Sequence, residues 1–335
     1  MQTERCVNLL PLQPELRLEA DLDTPLAWSG TDIGPADWTL PLGAEAAVEL
    51  RGVAEQVRRE PLPTYLLEPG HFALPACAAL AAEARRRLEA GIGLVLLDGF
   101  PLDGLSEAEV RAAYWVFGRL LALPVAAKWD GTVLYDVRDS GREYGIGVRA
   151  SLTASELEFH TDNTFAHAPP DYVSLLCIRP AAQGGVSRVA SFYALHNRLR
   201  AAHLRLLERL YGPFYYDRQL EHPPEEPRVS ISRAFCYDGR HLRGRLSYNV
   251  MRQGYALMGE TLDAEGQEAL DTAYALLNAP GCWIEHTLQR GQVQILNNRA
   301  LAHYRSRFVD ADDPARKRHL LRLWYRTGGR PFFNG

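Results

Sequence analysis

The chain has 335 residues, 47% hydrophobic and 23% charged, with a formal net charge of -4. This is an ordinary globular balance, and the charge excludes nucleic acid or an anionic membrane as the main partner. Five scattered cysteines without a C-x-x-C spacing exclude a disulfide framework or a structural zinc site, and no apolar run is long enough to span a bilayer.

Met1–Cys6 lacks a basic stretch followed by an apolar core, so no leader is read and the expected location is cytoplasmic. Residues 1–41, rich in Pro, Asp and Leu, predict an irregular wrapping segment. Residues 44–59 predict a helix with Leu50, Val53 and Val57 on one face. An Ala-rich helix is expected over 72–90, and its closing Arg run suits the negative helix end. Gly93–Leu97 predicts a short buried strand stopped by Asp98-Gly99. Ser106 and Glu109 form a capping box that opens a helix with Val110, Ala113, Tyr114, Phe117, Leu120 and Leu121 as its apolar stripe, closed by Pro124.

From about residue 128 the pattern changes to short strands: Val133–Val137, Leu157–His160, Asp171–Ile178 and Val186–Phe192, with Gly184-Gly185 as a turn. Residues 193–210 return to helix. Residues 213–227, with four prolines and several acids, read as a long surface loop, either a lid or solvent-facing decoration. A strand at 229–236, a helix at 262–277 and strands at Cys282–Thr287, Val293–Leu296 and His319–Tyr325 complete the chain. Short strands with a few helices predict a mixed α/β (α+β) fold, a double-stranded β-helix (jelly-roll) barrel with flanking helices. One domain is expected over 1–335: a helical buttress at 1–90, then a core at 91–330 carrying a 193–280 insert of helices and lid loop.

His160 and Asp162 stand two apart at the end of a strand, where side chains i and i+2 share a face, so one metal ion could take a nitrogen and an oxygen from them. His303, after the apolar strand Val293–Leu296, offers a third ligand. Two His and one carboxylate on one face of an octahedron leave the opposite face open, as non-haem Fe(II) oxygen chemistry requires. Zinc accepts the same donors but keeps one open position. Farther on, Arg318 and Arg322 interrupt an otherwise apolar strand, and a buried guanidinium needs an anionic or polar partner.

The ordered set H-T-D-N-T-F (160–165), G-G-V-S (184–187), L-N-N-R-A-L-A-H-Y-R (296–305) and R-H-L-L-R-L-W (318–324) resembles the Fe(II)- and 2-oxoglutarate-dependent dioxygenases of the taurine dioxygenase and clavaminate synthase-like group. The resemblance implies Fe(II) on His160, Asp162 and His303, with 2-oxoglutarate and O2 as co-substrates. It implies that Arg318 and Ser187 hold the distal carboxylate of 2-oxoglutarate, with Arg322 near the metal. A longer gap after His303 than the family usually shows leaves Arg318, Arg322 and Arg316 open as the anchor. The carboxylate at Asp162 argues against the halogenating relatives.

Candidate substrate contacts are Trp129, Tyr135, Asp136, Asn163, Tyr248, Asn249 and Arg252. Aromatic and amide groups suit a small, amino-acid-derived or cyclic-dipeptide-like molecule. Hydroxylation is the first expectation, with desaturation or epoxidation on the same centre as alternatives. A metal hydrolase would need a general base beside the metal, and no second carboxylate pattern presents itself. A non-catalytic metal-binding barrel would show erosion of a ligand, and none is eroded.

Overall fold

The computed structural model describes residues 5–142, 145 and 149–335; the beginning of the stretch read for a leader lies outside them. Two sheets organise the chain. The larger has the order Thr39–Pro41, Leu94–Asp98, Val293–Asn297, Tyr172–Arg179, His319–Arg326 and Leu123–Val125, with Tyr135–Val137 also paired to His319–Arg326. Its pairings are antiparallel except the first. The smaller sheet, wholly antiparallel, has the order Trp283–His286, Ser187–Ser191, Leu301–Arg305 and Leu157–His160.

Strand alternation gives the larger sheet two different faces. Val95, Leu97, Leu176, Val293, Ile295, Leu321, Leu323 and Tyr325 turn outward into a core shared with Leu50, Val53, Cys77, Ala81, Leu88 and Phe117 of the N-terminal helices. Leu94, Leu96, Val173, Cys177, Leu296, Leu320 and Trp324 turn the other way, toward Phe159, Val189, Ala190, Leu301 and Ala302 of the smaller sheet. The architecture is thus mixed α/β, with two sheets packed face to face. They share no hydrogen-bonded closure among the described residues, so the expected closed barrel is an open pair of layers here.

The three long N-terminal helices among the described residues are Ala44–Arg59, Pro75–Ala90 and Glu107–Leu121, the last opened by the Ser106–Glu109 capping box. The 193–210 helix is two, Phe192–Ala202 and Leu204–Leu210, broken at His203. A helix unmarked in the sequence, Tyr248–Met258, lies against Pro213–Asp217. An ideal Cβ on Gly254 would come within 2.7 Å of the backbone of Tyr215 and Tyr216, so only glycine permits this approach.

The 213–227 stretch corrects the sequence reading. Its first part, Pro213–Asp217, is a strand paired antiparallel with Val229–Arg233. Pro213 is tolerated as the first strand residue, and the other prolines fall beyond the strand. The expected 229–236 strand is likewise two, Val229–Arg233 and Phe235–Tyr237.

Candidate active site

His303 lies directly across from His160 on neighbouring strands of the smaller sheet, with ring centroids 4.1 Å apart. The His160 and His303 Nε2 atoms stand 3.6 Å and 3.7 Å from Asp162 Oδ1. The route to this geometry differs from the sequence argument. The strand stops at His160, and Asp162 sits in the following turn, where Asn163 adopts the left-handed region at φ 58°.

Asn298, unmarked in the sequence, holds that turn. Its Oδ1 accepts from the Asp162 backbone N–H at 2.8 Å, and its Nδ2 donates to the carbonyls of Asp162 and Pro170, each at 3.1 Å. The pattern of an amide residue just past a buried strand was its only signal. Asn298→Ala leaves buried donors and acceptors unpaired at the root of a ligand. It is expected to cost about 1–3 kcal/mol of stability and about 10–100-fold in Fe(II) affinity, read by urea unfolding and metal titration.

The donors are in ligand form. His160 Nδ1–H donates to the Glu158 carbonyl at 2.8 Å, which leaves Nε2 as the lone-pair nitrogen. Burial, aided by the neighbouring His160, pushes the His303 pKa down to about 4 and keeps that ring neutral near pH 7. Burial alone would raise the Asp162 carboxyl, but Arg322 and the two imidazoles outweigh it and hold it well below the usual carboxylate range. Its Oδ2 accepts from Trp324 Nε1–H at 2.7 Å and Arg322 Nη1–H at 3.2 Å, so Oδ1 is left toward the imidazoles. Two imidazole nitrogens and one carboxylate oxygen, with the His160 ring and the Asp162 carboxylate held from behind, fit a ferrous ion.

The three ligands open on a cavity of about 120 Å³ between the sheets. Its far wall carries Arg318, Leu320, Arg322 and Trp324 from one face of His319–Arg326 and the residue before it. Arg322 lies beside the rings of Tyr135 and Trp324, 4.8 Å and 4.7 Å from their centroids. Arg318 is buried with Nη1 unpartnered, and burial lowers its pKa to about 10, so it remains a cation near pH 7. A buried guanidinium aimed at a cavity without a carboxylate of its own fits the distal end of a dicarboxylate. Ser187 lines the same cavity.

Of the candidate substrate contacts, Asn163 is on the cavity wall, and both polar atoms of its buried amide lack a hydrogen-bond partner among the described residues. Tyr135 is buried behind the wall, supporting Arg322. Asp136, its neighbour on the strand, points the other way and pairs with Arg111 and His319. Together with Glu107 it makes a second cluster of ligand-type residues, but Arg111 and Arg138 supply the counter-charges there. Trp129 is 42% exposed and meets Phe333 edge-on, while Arg252 is exposed on the Tyr248–Met258 helix; neither lines the cavity. The sequence reading missed Arg149, Gln219, Ser247 and Arg305, all on the wall. Strand alternation from His303 could have found Arg305.

Residues 58–324 match the model of the "Taurine catabolism dioxygenase TauD, TfdA family". The FR-33289 synthase of Streptomyces rubellomurinus is 30% identical over 312 residues, covering 91% of this chain and 90% of that one. Among solved structures, an asparagine oxygenase in complex with Fe(II), 2S,3S-3-hydroxyasparagine and succinate superposes with a TM-score of 0.64 at 20% identity, over 87% of this chain and 94% of its own. The non-heme iron oxygenase OrfP in complex with Fe, succinate and (3S)-hydroxy-L-Arg superposes with a TM-score of 0.61 at 16% identity, over the same shares, 87% and 94%. No helix among the described residues is long and apolar enough to cross a membrane.

Proposed function

We propose, from the premise that the chain belongs to the TauD, TfdA family and is a non-haem iron oxygenase using Fe(II), 2-oxoglutarate and O2, that it hydroxylates an unactivated C–H bond of a small amino-acid-derived or cyclic-dipeptide-like molecule. In this reading the two packed sheets are a double-stranded β-helix. His160, Asp162 and His303 hold the iron; Arg318 and Ser187 take the distal carboxylate of 2-oxoglutarate. The observation that carries it is the triad facing the same cavity as the Arg318 guanidinium, whose Nη1 has no hydrogen-bond partner among the described residues.

When bound, ferrous iron with 2-oxoglutarate supplies the oxidation: O2 is consumed, 2-oxoglutarate leaves as succinate and CO2, and one oxygen atom goes to the substrate. The protein's own residues bind and orient. Arg322 and Trp324 fix the Asp162 carboxylate and leave one of its oxygens toward the imidazoles. The Glu158 carbonyl fixes the His160 ring. Asn163 brings an unpartnered amide to the wall, a hydrogen-bonding partner for an amide or hydroxyl of the substrate. Leu157, Val173, Leu175 and Val250 supply apolar wall that keeps water from the reacting carbon.

The amino-acid part of the reading draws on the two fold relatives above, whose structures hold hydroxylated asparagine and hydroxylated arginine. The test is a turnover screen of amino acids, their acylated derivatives and cyclic dipeptides, reading succinate release together with product mass. Gain of one oxygen atom in step with succinate is the expected result. Loss of two hydrogens would mark desaturation, and turnover confined to sulfonates or aryloxyacetates would discard the substrate class.

A further inference from the structure

Four guanidinium groups line the cavity, those of Arg149, Arg305, Arg318 and Arg322, against one carboxylate, Asp162. Three more carboxylates stand behind the wall. Glu221 pairs with Arg149 Nε at 2.7 Å, Asp310 accepts from the Arg318 backbone N–H at 2.7 Å, and Asp139 stabilises the charge of Arg305. Ferrous iron and the 2-oxoglutarate dianion cancel each other in charge, so the loaded site is balanced as a whole and any excess is local to one end. A positive charge without a partner in a site closed to water is costly.

The place of that excess follows from the neighbours. Arg305 and Arg318 share one end of the cavity, where Asp139 acts on Arg305 and Asp310 on Arg318, and where the distal carboxylate of the co-substrate would add a further negative charge. Arg305 is further tied to the carbonyls of Thr153 and Ser155. At the other end, Arg149 and Arg322 flank the same two rings. The Arg149 guanidinium lies 5.7 Å from the Tyr135 centroid and 5.8 Å from that of Trp324, and Arg322 is closer still to both. Asp162 neutralises Arg322 but is shared with the metal.

Arg149 is built as a receptor. Its side chain and that of Glu221 are each 10% exposed, and Glu221 is itself fixed by accepting from the Trp129 backbone N–H at 2.6 Å. Arg149 Nη1 donates to the Ala127 carbonyl at 2.8 Å. Nη1 is thus committed to the scaffold, Nε forms an ion pair with Glu221 without hydrogen-bond geometry, and Nη2 takes part in neither contact. The same turn that carries Glu221 brings Gln219 to the cavity wall in a left-handed conformation, φ 52°.

Given that this cavity is the oxygenase active site, we propose that Arg149 receives an acidic group of the substrate and that Glu221 positions it. A substrate with a free carboxylate, such as an amino acid or an acylated amino acid, is then preferred over a cyclic dipeptide, whose carboxyl is consumed in the ring.

The test uses sulfate as the anion probe on enzyme loaded with Fe(II) and 2-oxoglutarate without oxygen. The visible band of the chelate is recorded first, so failure of the oxygenase reading appears there and failure of the receptor appears only in the titration. Calorimetry should show saturable sulfate binding to the wild type. Arg149→Gln should weaken it by about 10–100-fold, the loss of one charge-assisted contact, with 2-oxoglutarate affinity retained. Glu221→Gln, which removes the competing negative charge and keeps the shape, should hold or tighten it. If Arg149 serves only to hold the 218–222 turn, both variants will lower stability alike and neither will change sulfate binding selectively. That result, or no saturable sulfate binding to the wild type, overturns the proposal.

Discussion

His303→Ala is expected to remove the visible chelate band formed by Fe(II) and 2-oxoglutarate without oxygen, and turnover with it. Loss of a direct donor should exceed the about 10–100-fold in metal affinity that a supporting residue costs. The variant is a clean probe because, among the described residues, His303 Nδ1 has no hydrogen-bond partner, so no group bonded to it is stranded when the ring goes. Urea unfolding of the apoprotein should shift only by the lost packing of the ring, about 1–3 kcal/mol. Asp162→Ala should abolish the band too, but it leaves Arg322 and the Trp324 indole N–H without their shared acceptor, at about 3–5 kcal/mol of fold stability. Asp162→Asn, which keeps shape and an acceptor oxygen, separates the two effects. A His303→Ala protein that still binds Fe(II) within about tenfold of the wild type would end the metal assignment.

Arg318→Gln should lower 2-oxoglutarate affinity by about 30–5000-fold, the range for truncating one partner of a buried charge pair, while the triad still binds iron. Without co-substrate the substitution should leave the protein as stable as before, or more so, because it removes a buried charge whose Nη1 has no partner. The stabilisation that 2-oxoglutarate gives the wild type should shrink in proportion to the lost affinity, which a thermal shift series measures. Arg322→Gln should behave differently. Its Nη1 bonds the Asp162 carboxylate, so iron affinity should fall first. If instead Arg322→Gln weakens 2-oxoglutarate with iron intact and Arg318→Gln does not, the two roles exchange.

The contrast between the two arginines shows how far the chain could be read unaided. Both were legible as buried cations because Leu320, Leu321, Leu323 and Trp324 surround them in the sequence. Their different partners were not, because Asp162 is contributed by a turn more than a hundred residues away. Helices with an apolar stripe and a cap, such as Glu107–Leu121, were predicted closely because their signal is local. Pro213–Asp217 was misread because prolines a few residues later masked a strand whose pairing with Val229–Arg233 is itself short-range. Tyr135 and Asp136 were named together, yet one supports Arg322 and the other joins a network on the opposite face, since adjacent strand residues point apart.

By itself the sequence determined the candidate donors, two imidazoles and a carboxylate, the arginines on a buried strand, and the alternation that makes most of the strands. Only the tertiary structure decided that Asp162 reaches the two imidazoles from a turn held by Asn298, and that Arg149 belongs to the cavity wall. It also decided which face of each strand meets the cavity. The physical reason is range: propensity, capping and alternation act between residues a few positions apart, whereas a site is closed by contacts between segments whose meeting depends on how two whole sheets pack.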